Sequence, residues 1–399
     1  MIRSIQEAII LDKDVLIRVD LNVPFEKGKV SDTSRIKAII PTVNLVLERG
    51  GRPILLSHLG RPEKPFNRSL SLQKILPNLI EIFKTKIVFC KFTDPQLIRV
   101  FLKKAPRNTI ILLENTRFFE GEENNSPLLS NMFAGLGDLY CNDAFSAAHR
   151  AHASTDGVAK LLPSYSGLLF EKELFALSKT LINSKKPLTA IIGGSKVSTK
   201  IKLLENLVKK VDHLIIGGGM ANTFLYAQQK EIGTSLCERE LVKVSLSIQT
   251  TAKEYSCQIH LPLDIVCARK LKENQCISIL NTEACPVDKM ILDCGPKTTA
   301  NVRKVLSSSR TLIWNGPLGA FEIKPFNTAT EEIAKSVAEL TKKKKLLSIA
   351  GGGDTISALK STGTLSDFSY ISNAGGAFLE WMEGKELPGL KALSSTIPS

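Results

Sequence analysis

The sequence predicts an α/β protein made of two parallel-sheet halves joined by one helix. Three observations carry that prediction. Short apolar runs ending in Gly-, Arg- or His-containing turns alternate with amphipathic stretches along the chain, as strands and helices do in open α/β sheets. The turns of the first half are rich in Arg and His, those of the second in Gly. Between them, Leu168 to Asn183 reads as one helix, with Leu169/Phe170, Leu174, Leu177 and Leu181 at three- and four-residue spacing. Gly167 precedes this helix, and Asn183 to Pro187 ends it.

The chain has 399 residues, more than one ordinary core holds, so two domains are expected. Hydrophobic content is 43% and charged content 23%, the range of a globular protein. No apolar run reaches the length of a membrane span, and the N-terminus does not resemble a secretory signal. The eight cysteines stand singly with no CxxC pair, so reduced thiols in a cytoplasm are expected. His149 and His152 lack the further Cys or His that zinc requires. The net charge of +14 suits nucleic acid, anionic lipid or small phosphorylated ligands. Aromatics are only 6% and do not interleave with the basic residues, which disfavours single-strand binding. The run Lys342–Lys345 reads as a solvated helix end.

Val15–Leu21 is a buried-strand candidate. Arg18 and Asp20 inside it must either pair with each other or face a ligand at the strand's end. Ser34–Arg49 reads as a helix stopped by Gly50-Gly51. Ile54–Leu56 runs into Ser57-His58-Leu59-Gly60-Arg61-Pro62, Ile110–Leu113 into Glu114-Asn115-Thr116-Arg117, and Asp138–Asp143 into a segment ending His149-Arg150. One such Arg is weak evidence. If the strands are parallel, Arg35, His58, Arg61, Arg117 and Arg150 converge on one edge. A ligand with a carboxylate and a phosphate calls for that convergence, because Arg offers a planar fork to both.

In the second half, Leu188–Ile192 leads into Gly193-Gly194-Ser195-Lys196-Val197-Ser198-Thr199-Lys200 and a helix. The Walker A spacing is absent, yet glycines and lysines at a helix start favour anions. Leu214–Ile216 leads into Gly217-Gly218-Gly219, and a later strand into Gly351-Gly352-Gly353-Asp354. Neither triplet completes GxGxxG, which argues against a nicotinamide dehydrogenase. Three glycine turns on strand ends together point to nucleotide binding. Asp354 is open to two readings, a cap on a helix Thr355–Lys360 or a Mg²⁺ ligand beside phosphates. Glu322 is open to ribose contact or helix initiation.

Taken together, VLIRVDLNVP (15–24), HLGRP, ENTRF, NDAFSAAHRAHAS, GGSKVSTK, GGGMANTFL, DCGPKT, WNGPLGAFE, GGGDT and the closing EGKELPG (383–389) closely resemble the phosphoglycerate kinase family, in the family's order and over nearly the whole chain. The resemblance implies two Rossmann-like lobes with parallel sheets flanked by helices, joined by a hinge helix. Residues 1–167 would form the 3-phosphoglycerate lobe, 168–183 the hinge, 184–376 the nucleotide lobe, and 377–399 a tail returning to the first lobe. It implies a cytoplasmic, monomeric glycolytic enzyme that transfers a phosphoryl group reversibly from 1,3-bisphosphoglycerate to ADP with Mg²⁺, with nucleic acid not required. Binding of nucleic acid or other anions on the same scaffold is the alternative.

Carried over by motif, the resemblance implies substrate contacts at Asp20, Leu21, Asn22, Arg35, His58, Leu59, Gly60, Arg61, Arg117 and Arg150. It implies catalytic roles for Arg35, Lys196, Lys200 and Gly375. Nucleotide contacts fall on Lys200, Asn315, Pro317, Glu322, Gly351, Gly352, Gly353, Asp354 and Thr355, with Asp354 on Mg²⁺. Three departures stand out. Asn373-Ala374 replaces the usual Thr-Gly, which would restrict the backbone if a positive φ is needed at Ala374. Ile291 stands where Gly is common near the adenine, and Asp156 where an apolar residue is usual.

Overall fold

The computed structural model describes residues 2–62, 67–181 and 183–394. The chain forms two compact units, one running to Phe175 and resuming at Glu386, the other spanning Ala176–Lys385. The division falls inside the helix Leu168–Leu181; Ile182 lies outside the described residues. Residues 377–385, read above as part of the returning tail, cluster with the second unit. From Glu386 the chain joins the first unit, where the N–H of Gly389 donates to the Ala148 carbonyl at 2.9 Å. A Cβ on Gly389 would meet the Ala148 Cα at 3.0 Å, so glycine sets this close approach.

The first unit is built on six parallel strands: β1 Asp14–Arg18, β2 Arg52–Leu56, β3 Ile87–Cys90, β4 Ile110–Leu113, β5 Leu139–Asn142 and β6 Ser164–Ser166. Their order is β3-β4-β2-β1-β5-β6. The central strands β2, β4 and β5 are buried along their whole length, which is why β4 and the Ile54–Leu56 part of β2 read as unbroken apolar runs. Arg18 pairs in register with Leu56 and Asn142, so the chain leaves β1, β2 and β5 at one carboxyl edge. The expected helix 34–49 is two helices, Ser34–Ala38 and Ile40–Glu48. Pro41 explains the break: its ring has no N–H to donate to the Lys37 carbonyl and clashes with it.

The second unit holds another parallel sheet: β7 Leu188–Ile192, β8 His213–Ile216, β9 Gln258–His260, β13 Thr311–Asn315, β14 Leu347–Gly351 and β15 Tyr370–Ser372, in the order β9-β8-β7-β13-β14-β15. A small antiparallel sheet, absent from the sequence reading, joins β10 Asp264–Ala268 to β11 Ser278–Asn281 and β12 Met290–Cys294. Among the described residues no helix is long and apolar enough to cross a membrane.

Candidate active site

In the first unit the strand-end turns converge as the sequence predicts. Asn22, His58, Gly60, Arg61, Arg117 and Arg150 line one cavity of about 340 Å³ together with Arg18, Ser146, Ala147, His149 and His152. Arg18 and Asp20 do not pair with each other. Arg18 is buried and its Nε donates to Ser154 Oγ at 3.0 Å. Ser154 Oγ in turn donates to Glu122 at 2.5 Å. Arg18 also meets Nδ1 of His58 at 3.0 Å. Asp20 accepts from Arg35, from the Ser146 hydroxyl at 2.5 Å and from the Asn22 N–H at 3.0 Å. Burial pushes the Asp20 carboxyl up, but Arg35 and these donors outweigh it and hold the group below its ordinary value.

The cavity is cationic by construction. Burial and the neighbouring Arg18 push His58 down to about 3, and burial with Arg18 and Arg150 pushes His152 down to about 4. Both imidazoles are neutral at pH 7. A guanidinium only donates, so Nδ1 of His58 accepts from Arg18 and the proton sits on Nε2. Arg35 is not among the cavity residues but is held beside them through Asp20. Leu21 and Leu59 place their side chains in the core, which leaves only their backbone for a ligand. The Arg117 guanidinium donates to the Gly60 carbonyl. Sequence reasoning missed Ser146, His149 and His152; the signal for Arg18 was an arginine costly to bury inside a strand.

In the second unit a cavity of about 410 Å³ opens at the carboxyl edge of β7, β8 and β13. One part is apolar, with Leu236, Met290, Ile291, Leu318 and Phe321; another presents Gly194, Ser195, Gly218 and Gly219. That combination suits a flat apolar ring attached to an anionic tail. Pro317, Glu322 and Asp354 line it. Lys200 lies behind, its ammonium donating to the Gly193 carbonyl at 2.5 Å and to Asn315 Oδ1 at 2.7 Å. Burial pushes Lys200 down to about 8, with Asp354 opposing. Asn315 and Thr355 are buried. Asn315 donates to the Gly351 carbonyl at 2.7 Å, and Thr355 Oγ1 accepts from the Gly316 N–H at 2.7 Å. Lys196 is exposed. A Cβ on Gly193 would lie 1.8 Å from the Pro317 carbonyl oxygen, so no other residue fits that turn.

The helix after the last triplet is Gly353–Ser361 with Gly352 at its cap. Asp354 is therefore inside the first turn and does not cap. It is exposed and makes no hydrogen bond or ion pair with any described residue. Glu322 lies in the turn before the helix Thr328–Lys342 and does not start it. Ala374 is buried and has no positive φ; the left-handed residue is Gly375, at φ 53°. Asp156 is buried but matched, with Asn125 Nδ2 at 2.7 Å and Lys160 Nζ at 2.6 Å, which answers the change from an apolar residue. Ile291 forms part of the second cavity's wall.

The family profile described as phosphoglycerate kinase matches residues 5–385. The chain belongs to the phosphoglycerate kinase family. A relative named phosphoglycerate kinase from Cereibacter sphaeroides is 53% identical over 393 residues, 98% of this chain and 99% of its own. Another from Dinoroseobacter shibae is 52% identical over 383 residues, 96% of each. The solved phosphoglycerate kinase of Coxiella burnetii matches with a TM-score of 0.90 at 41% identity, covering 99% of both chains. That of Pyrococcus horikoshii matches at 0.81 and 27% identity, covering 99% of this chain and 98% of its own. As in that family, the chain is a phosphotransferase with a carboxyl group as acceptor.

Proposed function

We propose that the chain transfers a phosphoryl group reversibly from 1,3-bisphosphoglycerate to ADP, giving 3-phosphoglycerate and ATP. The observation that carries the site assignment is the convergence of Arg61, Arg117, Arg150 and a neutral His58 in one cavity. Bidentate guanidinium donors and the Nε2–H of His58 suit the phosphate end of the phosphoglycerate. Arg35, steered by Asp20, is assigned to the acyl end, beside the group in transit. Asn22 Oδ1 accepts the Gly60 N–H at 2.9 Å and so shapes the floor of the cavity.

Phosphoryl transfer needs little covalent help from a protein. A terminal oxygen of ADP attacks phosphorus, the bond from phosphorus to the acyl oxygen breaks, and the carboxylate leaves with that electron pair. No proton need move, which suits a site whose histidines are held neutral. Positive charge around the equatorial oxygens is the main requirement, and Arg35, Lys196 and Lys200 are assigned to supply it. The N–H groups around Gly375 and the glycine turns are assigned to the nucleotide phosphates, and Glu322 to the ribose. Asn315, Gly351 and Thr355 support this wall from behind.

Asp354 fits a Mg²⁺ role: it is a lone exposed carboxylate at the cavity, and one carboxylate suffices where phosphates complete the shell. Among the described residues no cluster of three His, Cys, Asp or Glu offers a full cage. Bound there, Mg²⁺ would neutralise phosphate charge.

Direct transfer requires the two ligands to be brought into line and water kept out. The helix Leu168–Leu181 is assigned as the hinge. One chain carries both half-sites, so a monomer suffices, and glycolysis places the enzyme in the cytoplasm. Titrating the chain separately with 3-phosphoglycerate and ADP, then repeating with Arg150→Ala and Lys200→Ala, tests the two assignments: each variant should lose its own ligand.

A further inference from the structure

Two of the eight cysteines touch. Cys267 on β10 and Cys285 in the connection between β11 and β12 have their Sγ atoms 3.9 Å apart, and both are buried and reduced. They form an apolar cluster with Ile265, against which Leu280 and Ile291 pack. A disulfide needs about 2.05 Å between sulfurs, so closing the bond asks for a shift of about 2 Å between a strand and a connection. That connection is already tied to the chain ahead of it: the Thr234 N–H donates to the Lys289 carbonyl at 2.8 Å and the Ile291 N–H to Ser235 Oγ at 2.8 Å. It leads straight into β12, whose Met290 and Ile291 line the second cavity.

We propose that Cys267 and Cys285 form a reversible intramolecular disulfide that weakens nucleotide binding. The two thiols share a contact in which either sulfur can donate; the hydrogen bond with Cys267 holds the Cys285 thiol below its ordinary value, which favours ionisation at Cys285 first. When the connection opens locally to solvent, the Cys285 thiolate attacks a low-molecular-weight disulfide, forming a mixed disulfide and releasing one thiol. Cys267 then gives up its proton and attacks the Cys285 sulfur, releasing the second thiol. Two protein thiols are oxidised and one small disulfide is reduced to two thiols, with no other reactant. Ile291 touches the thiol cluster on one side and the cavity on the other. Contraction of the cluster draws this wall away from the cavity.

The test treats the full chain with oxidised glutathione, then maps peptides under non-reducing conditions and measures ADP affinity by calorimetry. The expected result is a peptide pair linked through Cys267 and Cys285, reversed by dithiothreitol and absent from both Cys267→Ser and Cys285→Ser. Cys276→Ser, at an exposed thiol, should leave it intact. ADP affinity of the linked form should fall by about fivefold, the low end of ordinary coupling between sites. Glutathione on Cys276 with no Cys267–Cys285 link would overturn the site. A link that leaves ADP affinity unchanged would overturn its effect on binding. The affinity arm rests on the nucleotide assignment and the peptide map does not, so unmodified protein that fails to bind ADP would show that assignment, not the disulfide, to be wrong.

Discussion

Arg18 donates to Nδ1 of His58 at 3.0 Å. This contact removes Nδ1 as a base, fixes the Nε2–H tautomer and keeps the ring uncharged. It also has a cost in acid. The folded value of about 3 lies below the ordinary 6.5, so below pH 6.5 the unfolded chain takes up a proton that the folded chain refuses. Stability therefore falls as pH falls from about 6.5 towards 3. Between pH 7 and 5 this one histidine should account for about 2 kcal/mol of lost stability. Urea unfolding of wild type and His58→Gln at both pH values checks this; an equal loss in the two proteins would contradict it.

Arg35 is the cation assigned nearest the reacting group, and Asp20 holds it. Arg35→Ala should lose about 3 kcal/mol of transition-state stabilisation, roughly a hundredfold in kcat/KM, as for loss of one key charge donor. Steady-state kinetics in both directions measures it. Near-wild-type turnover would remove Arg35 from the reaction.

Lys200 is held down to about 8 by burial. Its ammonium is the useful form, so kcat/KM for nucleotide should decline as pH rises through about 8. Lys200→Arg should lose that limb, because guanidinium stays charged. A pH profile with the same limb in the variant would assign the titration to another group.

The Asn373-Ala374 departure is expected to be mild, because the positive φ falls on Gly375 and not on Ala374. Ala374→Gly removes one buried methyl and relieves no backbone strain, so it should change turnover by about twofold at most. Gly375→Ala must place a Cβ at φ 53° and ψ −116°, outside the regions open to L-residues, and should reduce turnover more. The reverse ranking of the two variants would show that Ala374 limits the rate.

The parallel sheets were legible because Ile54–Leu56 of β2 and all of β4 are apolar runs that end in polar turns. The meeting of His58, Arg61, Arg117 and Arg150 followed from strand direction alone. What escaped depended on partners distant in sequence. Arg18 chooses Ser154, 136 residues away, over Asp20 two residues on. Ser146 and His152 reach the cavity through irregular turns with no period to read. The helix break at Ile39 follows from Pro41, against the apolar periodicity that runs on through 34–49. The small sheet β10–β12 was hidden because β11 alternates between partly buried and exposed residues and reads as loop.

The central claim is that the two cavities serve one phosphoryl transfer. The most direct measurement is ATP-dependent phosphorylation of 3-phosphoglycerate with Mg²⁺, followed by a coupled reductive assay, on wild type, Arg150→Ala and Lys200→Ala. Robust wild-type turnover lost in both variants is the predicted result. Turnover that survives in either variant, or wild type that neither turns over nor binds 3-phosphoglycerate and ATP, would contradict it.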